Sequence, residues 1–235
     1  MSHAVSTRHG GLSRAPYSTL NLGYSTGDDV ETVLANRETF LRSVGGSRLS
    51  TGRLTHGRDV AVFEGDGRGF DSTFAADAAI SNVPDRHLLV TCADCVPIAL
   101  ADTKLGVVGL AHAGWRGTAL GIGPAVVKAL RQAFGSDPAD LVAGIGPGIG
   151  ACCYRVGTEV IESFRDNGYQ AVCSERDGGC YLDLQSTNRL QLIQAGLRSG
   201  GIETIDVCTS CHTEDFYSHR AEGRATGRFG LCISA

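Results

Sequence analysis

The stretch "GVVGLAHAGWRGTALG" at residues 106–121 decides the fold prediction. Its first half is a short apolar run typical of a buried strand, and its second half predicts the start of a helix. His112, Trp115 and Arg116 lie at the junction, among glycines and alanines that leave room around them. Reactive side chains of α/β proteins often lie where a strand meets a helix. The junction therefore predicts a functional site, and a hydrogen-bonded core histidine is the plainer alternative.

The rest of the chain predicts a mixture of helices and strands. An amphipathic helix is predicted over 28–46, with Asp28 or Asp29 as its cap. Further helices are predicted over 123–135, 158–168 and 183–200. Strands are predicted over 59–63, 87–92, 97–102, 106–113, 140–146 and 202–208, and the glycine-rich segment 64–74 is predicted to be a loop. Because several strands follow one another directly, we expect an α/β or α+β fold with a mixed sheet.

The composition predicts an ordinary globular protein. At 235 residues, with 42% hydrophobic and 20% charged residues, the chain can bury a sizeable core. It contains no evident repeat or linker, so we predict one domain over 1–235. The net charge of −4 gives no electrostatic case for binding nucleic acid or an anionic membrane. No apolar run has the length of a signal peptide or a membrane span, so a cytoplasmic location is expected.

Several motifs match known patterns only in part. The segment "GIGPGIGA" (144–151) fits a loose dinucleotide-binding pattern, but Pro147 and the following cysteine pair favour a tightly packed glycine turn instead. The pairs "CADC" (92–95) and "CTSC" (208–211) each have the spacing of half a zinc ribbon. A shared four-cysteine site is the less favoured interpretation, because residues three apart on a strand point to opposite faces.

Another set of residues suits a metal ion. His56, Cys95 and His112 each close a predicted strand or begin a loop. Two imidazoles and a thiolate suit a borderline metal such as zinc, and three protein ligands leave a fourth position open, as in catalytic sites. The spacing alone is weak evidence, because seven histidines allow many such combinations.

Eight segments, in order, resemble the YfiH-like family, which is also described as the laccase-domain or polyphenol oxidase family. Members of that family are associated with purine nucleoside phosphorolysis and adenosine deamination. The resemblance covers nearly the whole chain, and "ADC-x-P" and "AHAGWRG" are its most specific motifs. The segments are "GLSRAPYSTLNLGYSTGDD", "THGRDV", "DAAISN", "TCADCVPIALAD", "GLAHAGWRGT", "GIGPGIGACCYRVG", "YLDLQSTNRLQL" and "DFYSHRAEGRATGR".

The resemblance implies a fold and a metal site. The fold is a single α/β domain with mixed sheets in α/β/β/α layers. The implied zinc ligands are His56, Cys95 and His112, and copper is a less favoured metal. Cys92 stands where the family usually has threonine, and its place within a strand favours a core role.

The implied substrates are purine nucleosides and phosphate. For deamination, a hydroxide attacks C6 of the purine. The candidate catalytic residues are Asp94, Cys95 and His112, and Asp94 is the nearest candidate proton carrier by sequence. A structural carboxylate is the alternative for Asp94. For phosphorolysis, phosphate attacks the ribose C1′ as the purine leaves, which requires cations around the phosphate.

The candidate substrate-binding residues follow from these requirements. Arg116, Arg220 and Arg228 are the candidate cations, and the resemblance brings Asn21 and Arg8 near the site. Three further histidines are expected on the surface or in the core: His9, His87 and His219.

Two other enzyme classes stay open. Cys95 and His112 also suit a cysteine-type amide hydrolase acting on a peptidoglycan precursor, because a thiolate can attack carbon or bind metal. A copper-dependent phenol oxidase would need more clustered histidines than this chain suggests. A non-enzymatic structural zinc domain is a further alternative.

Overall fold

The computed structural model of the protein describes residues 1–64 and 71–235, in which helices and strands are mixed along the chain. The helices are α1 (Val30–Ser43), α2 (Trp115–Ala119), α3 (Ile122–Phe134), α4 (Thr158–Asp166), α5 (Leu184–Gln194) and α6 (His219–Glu222). The strands are β1 (Ser2–Val5), β2 (Arg48–Gly52), β3 (Val60–Phe63), β4 (Asp71–Phe74), β5 (Ala78–Ser81), β6 (Arg86–Cys92), β7 (Val96–Asp102), β8 (Val107–Ala113), β9 (Val142–Ile145), β10 (Arg155–Val156), β11 (Cys173–Arg176), β12 (Gly179–Leu182), β13 (Ile202–Thr204) and β14 (Phe229–Ser234).

The strands form two large mixed sheets and a small one. The five-stranded sheet has the order β1-β14-β6-β2-β4, and the six-stranded sheet has the order β13-β9-β7-β8-β5-β3. Strands β10, β12 and β11 form an antiparallel three-stranded sheet. Because neighbours in both large sheets are partly parallel and partly antiparallel, the predicted mixed topology is confirmed.

The two large sheets stack face to face, and helices cover their outer faces. Leu88 and Leu231 of one sheet pack with Val108 and Leu110 of the other. Apolar residues of α3 and α5 pack on the outer face of the six-stranded sheet. On the outer face of the five-stranded sheet, Phe40 and its neighbours in α1 make the corresponding contacts. The layers are therefore α/β/β/α, as predicted.

The register of the six-stranded sheet brings several strand ends to one edge. Strand β8 lies between β7 and β5 and is antiparallel to both, with Val96 opposite Ala113 and Ala78 opposite Ala111. Strand β3 runs parallel to β5. The residues that precede β3, β5 and β7 therefore meet the last residues of β8, which places chemistry-bearing side chains from distant parts of the sequence together.

The structure differs from the predicted elements in several places. Strands β1, β2, β5, β10 and β14 and the hairpin of β11 and β12 lie outside the predicted strands. Residues 71–74 of the predicted loop form β4, and 65–70 lie outside the described residues. Helix α5 ends at Gln194 rather than near 200, because Gly196 adopts a φ of 108° that ends a helix. Within the described ranges, no helix combines the length and apolarity that a membrane crossing needs.

Candidate active site

His56, Cys95 and His112, hereafter the triad, converge at the sheet edge. The triad offers two ring nitrogens and a sulfur that lie within 4.8 Å of one another. His112 is buried, Cys95 is half-buried and His56 is exposed. The two imidazole rings have centroids 5.0 Å apart and meet edge to face. The predicted site residues are thus brought together, although 56 residues of sequence separate the first from the last.

Asp77, which sequence reasoning missed, orients the triad from beneath. Its fully buried carboxylate accepts a hydrogen bond from Nδ1 of His112 at 3.1 Å. It also accepts hydrogen bonds from the backbone amides of Thr55, His56 and Gly57, each at 2.9 Å. Because Nδ1 of His112 is engaged, Nε2 is the ring nitrogen left for a ligand or a substrate. A single carboxylate therefore fixes both histidine-bearing segments.

The electrostatics of the triad favour a thiolate. Burial alone would raise the pKa of the Cys95 thiol, but His112 and hydrogen bonds with both histidines lower it to about 6. Burial alone would lower the pKa of His112, but the Cys95 thiolate and the Asp77 carboxylate raise it to about 9. Burial also opposes ionisation of Asp77, yet its hydrogen bonds hold its pKa well below the usual range. A thiolate beside an oriented imidazole can bind a soft cation or act as a nucleophile.

The triad lies in a cleft of about 750 Å³ at one end of the gap between the two large sheets. His112 alternates with Val108 and Leu110 on the face turned toward the other sheet, which contributes Thr51 and Thr91 to the lining. Asp94 is the one acidic residue among the described residues that line the cleft. The lining is rich in guanidinium groups: Arg37, Arg53, Arg116, Arg220 and Arg228. The cleft therefore suits an anionic ligand.

Three of these arginines differ in how they are held. Arg116 is exposed and stacks on Trp115, with its guanidinium carbon 4.3 Å from the ring centroid. Arg220 is exposed and donates to the carbonyl oxygens of Cys153 and Arg155. Arg228 is half-buried and donates to backbone carbonyls of its own loop. Arg116 and Arg220 are thus the predicted cations that line the cleft and have exposed side chains.

Asp94 lines the cleft, but its carboxylate is engaged on both oxygens. One oxygen accepts from the hydroxyls of Thr209 and Ser218 at 2.8 and 2.7 Å, and the other accepts from the backbone amide of Arg220 at 2.7 Å. The backbone φ of Asp94 is 91°, a value that residues other than glycine seldom adopt. The arrangement favours a residue that positions the segment carrying Arg220, the alternative that the sequence left open.

Two predicted pocket residues lie away from the cleft. Asn21 is fully buried, and its side chain bonds with Thr26, Asp28 and the backbone amides of Gly23 and Arg228. Asn21 therefore does not line the cleft, and it contacts the backbone of Arg228, which does. Arg8 forms an ion pair with Glu222 at 2.9 Å and likewise does not line the cleft.

The other histidines and the glycine turn can also be placed. His219 lines the cleft, against the prediction of a plain surface or core residue. His87 is buried and contacts Ser2, and His9 is exposed beside Asp215. The turn after β9 is tightly packed, as predicted, because a Cβ on Gly148 would lie 2.5 Å from a methyl group of Val96.

The structure separates the two cysteine pairs. Cys92 is buried with Tyr217 and Phe229, so its predicted core role is confirmed. The four-cysteine site considered between "CADC" and "CTSC" is not formed, because Cys92 and Cys95 do not lie with Cys208 and Cys211. Cys208 and Cys211 gather instead with Cys152 and Cys153. These four residues are hereafter the cysteine cluster.

The layered fold and the triad define a class of protein: an α/β/β/α protein with a His–Cys–His cluster in a cationic cleft. The chain matches the family described as multi-copper polyphenol oxidoreductase laccase over residues 2–235, and it belongs to that family.

Known relatives agree with this assignment. The chain is 37% identical over 237 residues to the purine nucleoside phosphorylase YlmD of Geobacillus stearothermophilus, covering 95% of this chain and 86% of the relative. It is 34% identical over 239 residues to adenosine deaminase RL5 of an unknown prokaryotic organism, covering 96% and 90%. Its fold matches the crystal structure of the Bacillus licheniformis hypothetical protein YfiH with a TM-score of 0.92 and 33% identity, covering 99% and 91%. The predicted resemblance to YfiH-like proteins is confirmed.

Proposed function

We propose that the protein is a zinc-dependent enzyme of purine nucleosides whose principal reaction is phosphorolysis. One observation carries the proposal: a His–Cys–His ligand set and several guanidinium groups share one cleft. The His–Cys–His set suits a divalent metal, and the guanidinium groups suit phosphate. The relative named purine nucleoside phosphorylase supports the choice of substrate class.

The donor set fits zinc. Typical Zn–N and Zn–S bonds of about 2.1 and 2.3 Å place ligand atoms roughly 3.3 to 3.8 Å apart, and the triad atoms lie within 4.8 Å of one another. Asp77 supplies the carboxylate partner that metal-bound histidines usually have. His56, Cys95 and His112 would hold the ion, which would supply a Lewis acid at the base of the cleft.

The cationic wall would bind the phosphate. Arg116 and Arg220 can each present several N–H donors to a phosphate in a planar array. In the reaction, an oxygen of hydrogen phosphate forms a bond to C1′ of the ribose as the C1′–N9 bond breaks, and the purine takes up the proton that the hydrogen phosphate gives up. The products are ribose 1-phosphate and the free base. The arginines orient the attacking anion, and the anchoring of Arg220 on two carbonyls reduces the freedom lost on binding.

The aromatic residues of the cleft suit the base. Trp115 and Tyr154 both line it and are half-buried. A purine can pack against such rings while its polar edge stays accessible. The volume of about 750 Å³ lies within the usual range for small-molecule sites.

Adenosine deamination is the second candidate reaction. It is favoured by the relative named adenosine deaminase RL5 and by a ligand set of three residues, which leaves a coordination position for water. Deamination consumes water, releases ammonia and needs no phosphate. The two reactions therefore have different products and different co-substrates.

The deciding experiment is to incubate the purified protein with adenosine or inosine, with and without phosphate, and to identify the products by chromatography. Free base that appears only with phosphate supports phosphorolysis, and inosine formed from adenosine without phosphate supports deamination. Neither product appearing would overturn the proposal. Arg220→Ala should raise the KM for phosphate on the order of 10- to 100-fold, since a hydrogen bond to a charged group contributes about 1.5–3 kcal/mol. The exposed Arg165→Ala, on α4 and outside the cleft lining, is the matched control.

A metal measurement separates the rival classes. Zinc that survives dialysis and is lost from the triad in Cys95→Ser supports the metalloenzyme. A cysteine-type amide hydrolase would work without metal, and a phenol oxidase would require copper. The two clusters found among the described residues contain only two histidines, too few for the usual multicopper ligand sets.

A further inference from the structure

The cysteine cluster lies outside the site described above. We propose that it binds Zn²⁺ through four thiolates and that this second metal site holds one wall of the cleft in place. The proposal rests on sulfur geometry and stands whether or not the substrate is a nucleoside.

The four sulfurs lie close enough to one another to share a single ion. The four Sγ atoms lie within 4.8 Å of one another. Sγ of Cys211 is 3.6 Å from that of Cys152 and 3.4 Å from that of Cys153. A tetrahedral zinc site with Zn–S bonds of about 2.3 Å has neighbouring sulfurs about 3.8 Å apart. All four cysteines are free thiols, and their sulfurs lie well beyond the roughly 2.05 Å of a disulfide bond.

The backbone builds the site from two loops. One follows β9 and carries the adjacent Cys152 and Cys153, and the other follows β13 and carries Cys208 and Cys211. A single parallel bridge joins Gly148 to Cys208. The amide of Gly150 donates to Sγ of Cys208 at 3.2 Å, a contact that stabilises a thiolate. The turn of the C-x-x-C segment is closed by the amide of Cys211 donating to the carbonyl of Cys208 at 3.1 Å.

The positive charge near the cysteine cluster also suits a site that holds zinc. Zinc with four thiolates carries a net charge of about −2, which needs compensation. Arg176 donates to the carbonyl of Cys152 at 2.8 Å, and Arg220 donates to the carbonyl of Cys153 at 3.3 Å. Two guanidinium groups are therefore held against the cluster by its own backbone.

The cluster is linked directly to the cleft. Thr209, inside the C-x-x-C segment, donates to Asp94, which also binds the backbone amide of Arg220. Tyr154 directly follows Cys153 and lines the cleft. A metal that joins the two loops would therefore fix Asp94, Tyr154 and Arg220 relative to one another.

The test uses the Cys95→Ser protein, in which the triad cannot form a complete site. It is purified with its thiols reduced, given Zn²⁺, dialysed and analysed for metal per chain. We expect about one equivalent of zinc in Cys95→Ser, about two in the wild-type protein and about none when Cys208→Ser and Cys211→Ser are added to Cys95→Ser. Cys173→Ser with Cys180→Ser is the matched control, because these two cysteines lie in the hairpin of β11 and β12, outside the cluster.

Two further measurements use Cys95→Ser alone, so they are valid even if the protein with Cys208→Ser and Cys211→Ser does not fold. Co²⁺ added to Cys95→Ser should give the intense charge-transfer absorption of a four-thiolate tetrahedral site. Removal of zinc from Cys95→Ser by a chelator should increase hydrogen exchange in 148–156 and 205–220 and leave 30–43 in α1 unchanged.

The proposal is overturned if reduced Cys95→Ser retains no zinc. It is also overturned if that protein holds iron with acid-labile sulfide, or if chelation changes exchange nowhere in the two loops. Nucleoside activity measured in the wild-type protein would leave the proposed function standing in each of these cases, because that function depends on the triad and not on the cysteine cluster.

Discussion

Asp77 controls the triad through hydrogen bonds rather than through contact with a ligand. Asp77→Asn replaces an acceptor oxygen with an NH₂ group that would face N–H donors of His112 or of the segment 55–57. We expect zinc affinity at the triad to fall about 10- to 100-fold, the usual range for a lost partner of a metal-bound histidine. Competition with a chelator, measured in a protein that also carries Cys208→Ser and Cys211→Ser, reports the affinity of the triad alone.

The matched control is Asp102→Asn. Asp102 is also buried, but it accepts backbone amides of Lys104 and Leu105 at the opposite edge of the sheet. Asp102→Asn should lower the free energy of unfolding and leave the zinc affinity of the triad unchanged. Equal losses of affinity in both variants would contradict the role given to Asp77.

Cys95 should be reactive at low pH in the metal-free protein. Burial raises its pKa, but His112 and the hydrogen bonds with both histidines lower it to about 6, so the thiolate is populated above that pH and lost below it. Alkylation of Cys95 by iodoacetamide, followed by peptide mass spectrometry, should therefore be half-maximal near pH 6. His112→Ala should move the midpoint upward, and the exposed His9→Ala should not. A midpoint at the ordinary thiol value in the unaltered chain would contradict this electrostatic assignment.

The sequence predicted the three triad residues but not the carboxylate behind them. His56, Cys95 and His112 belong to residue types that bind metal, and the family motifs mark their positions. Asp77 precedes the alanine-rich β5, and its partners lie 20 to 35 positions away in the sequence. Nothing local distinguishes it from a surface aspartate. Only the pairing of β5 with β8 reveals its role.

At the scale of secondary structure, the junction of β8 and α2 determines how closely the triad can approach. Gly114 is the residue between them, and a Cβ there would lie 2.9 Å from Sγ of Cys95 and 3.0 Å from Nδ1 of His56. Its backbone is extended, so Gly114→Ala adds a steric conflict without backbone strain. We expect zinc affinity at the triad to fall on the order of 10- to 100-fold, as for other changes that displace ligands.

Gly144→Ala in β9 is the control for this substitution, because a Cβ at Gly144 meets nothing within 4 Å. Circular dichroism should show both variants folded, and a metal titration should separate them. Unchanged affinity in Gly114→Ala would show that the triad adapts to the added methyl group.

The elements that the sequence predicted well are those with a clear pattern. Helix α1 has apolar residues at helical spacing and a capping aspartate, and β8 is a continuous apolar run before a glycine. Strand β5 has two alanines, which carry little strand preference. Strand β2 buries Ser50, whose hydroxyl accepts from Arg86 at 2.7 Å in another strand. Such strands are specified by tertiary contacts, which local patterns do not contain.

At the scale of the whole molecule, stability and site chemistry are separable. Leu110 is buried between the two large sheets, two residues before His112. Leu110→Ala should lower the free energy of unfolding by about 2–5 kcal/mol, because it removes buried apolar atoms and leaves a cavity. Urea denaturation measures this, and the folded fraction should still bind zinc at the triad. The exposed Val142→Ala should change stability by less than about 0.5 kcal/mol.

The pairing of β7 with β8 has a consequence for how the protein matures. A slip of one position in this pairing would turn the side chains of β7 to the opposite face of the sheet and displace the adjoining Cys95 relative to His112. Such a misaligned chain would lack the three donors. A metal ion that binds the triad would then favour the correct strand alignment, because the free energy of metal binding stabilises the correctly aligned state alone.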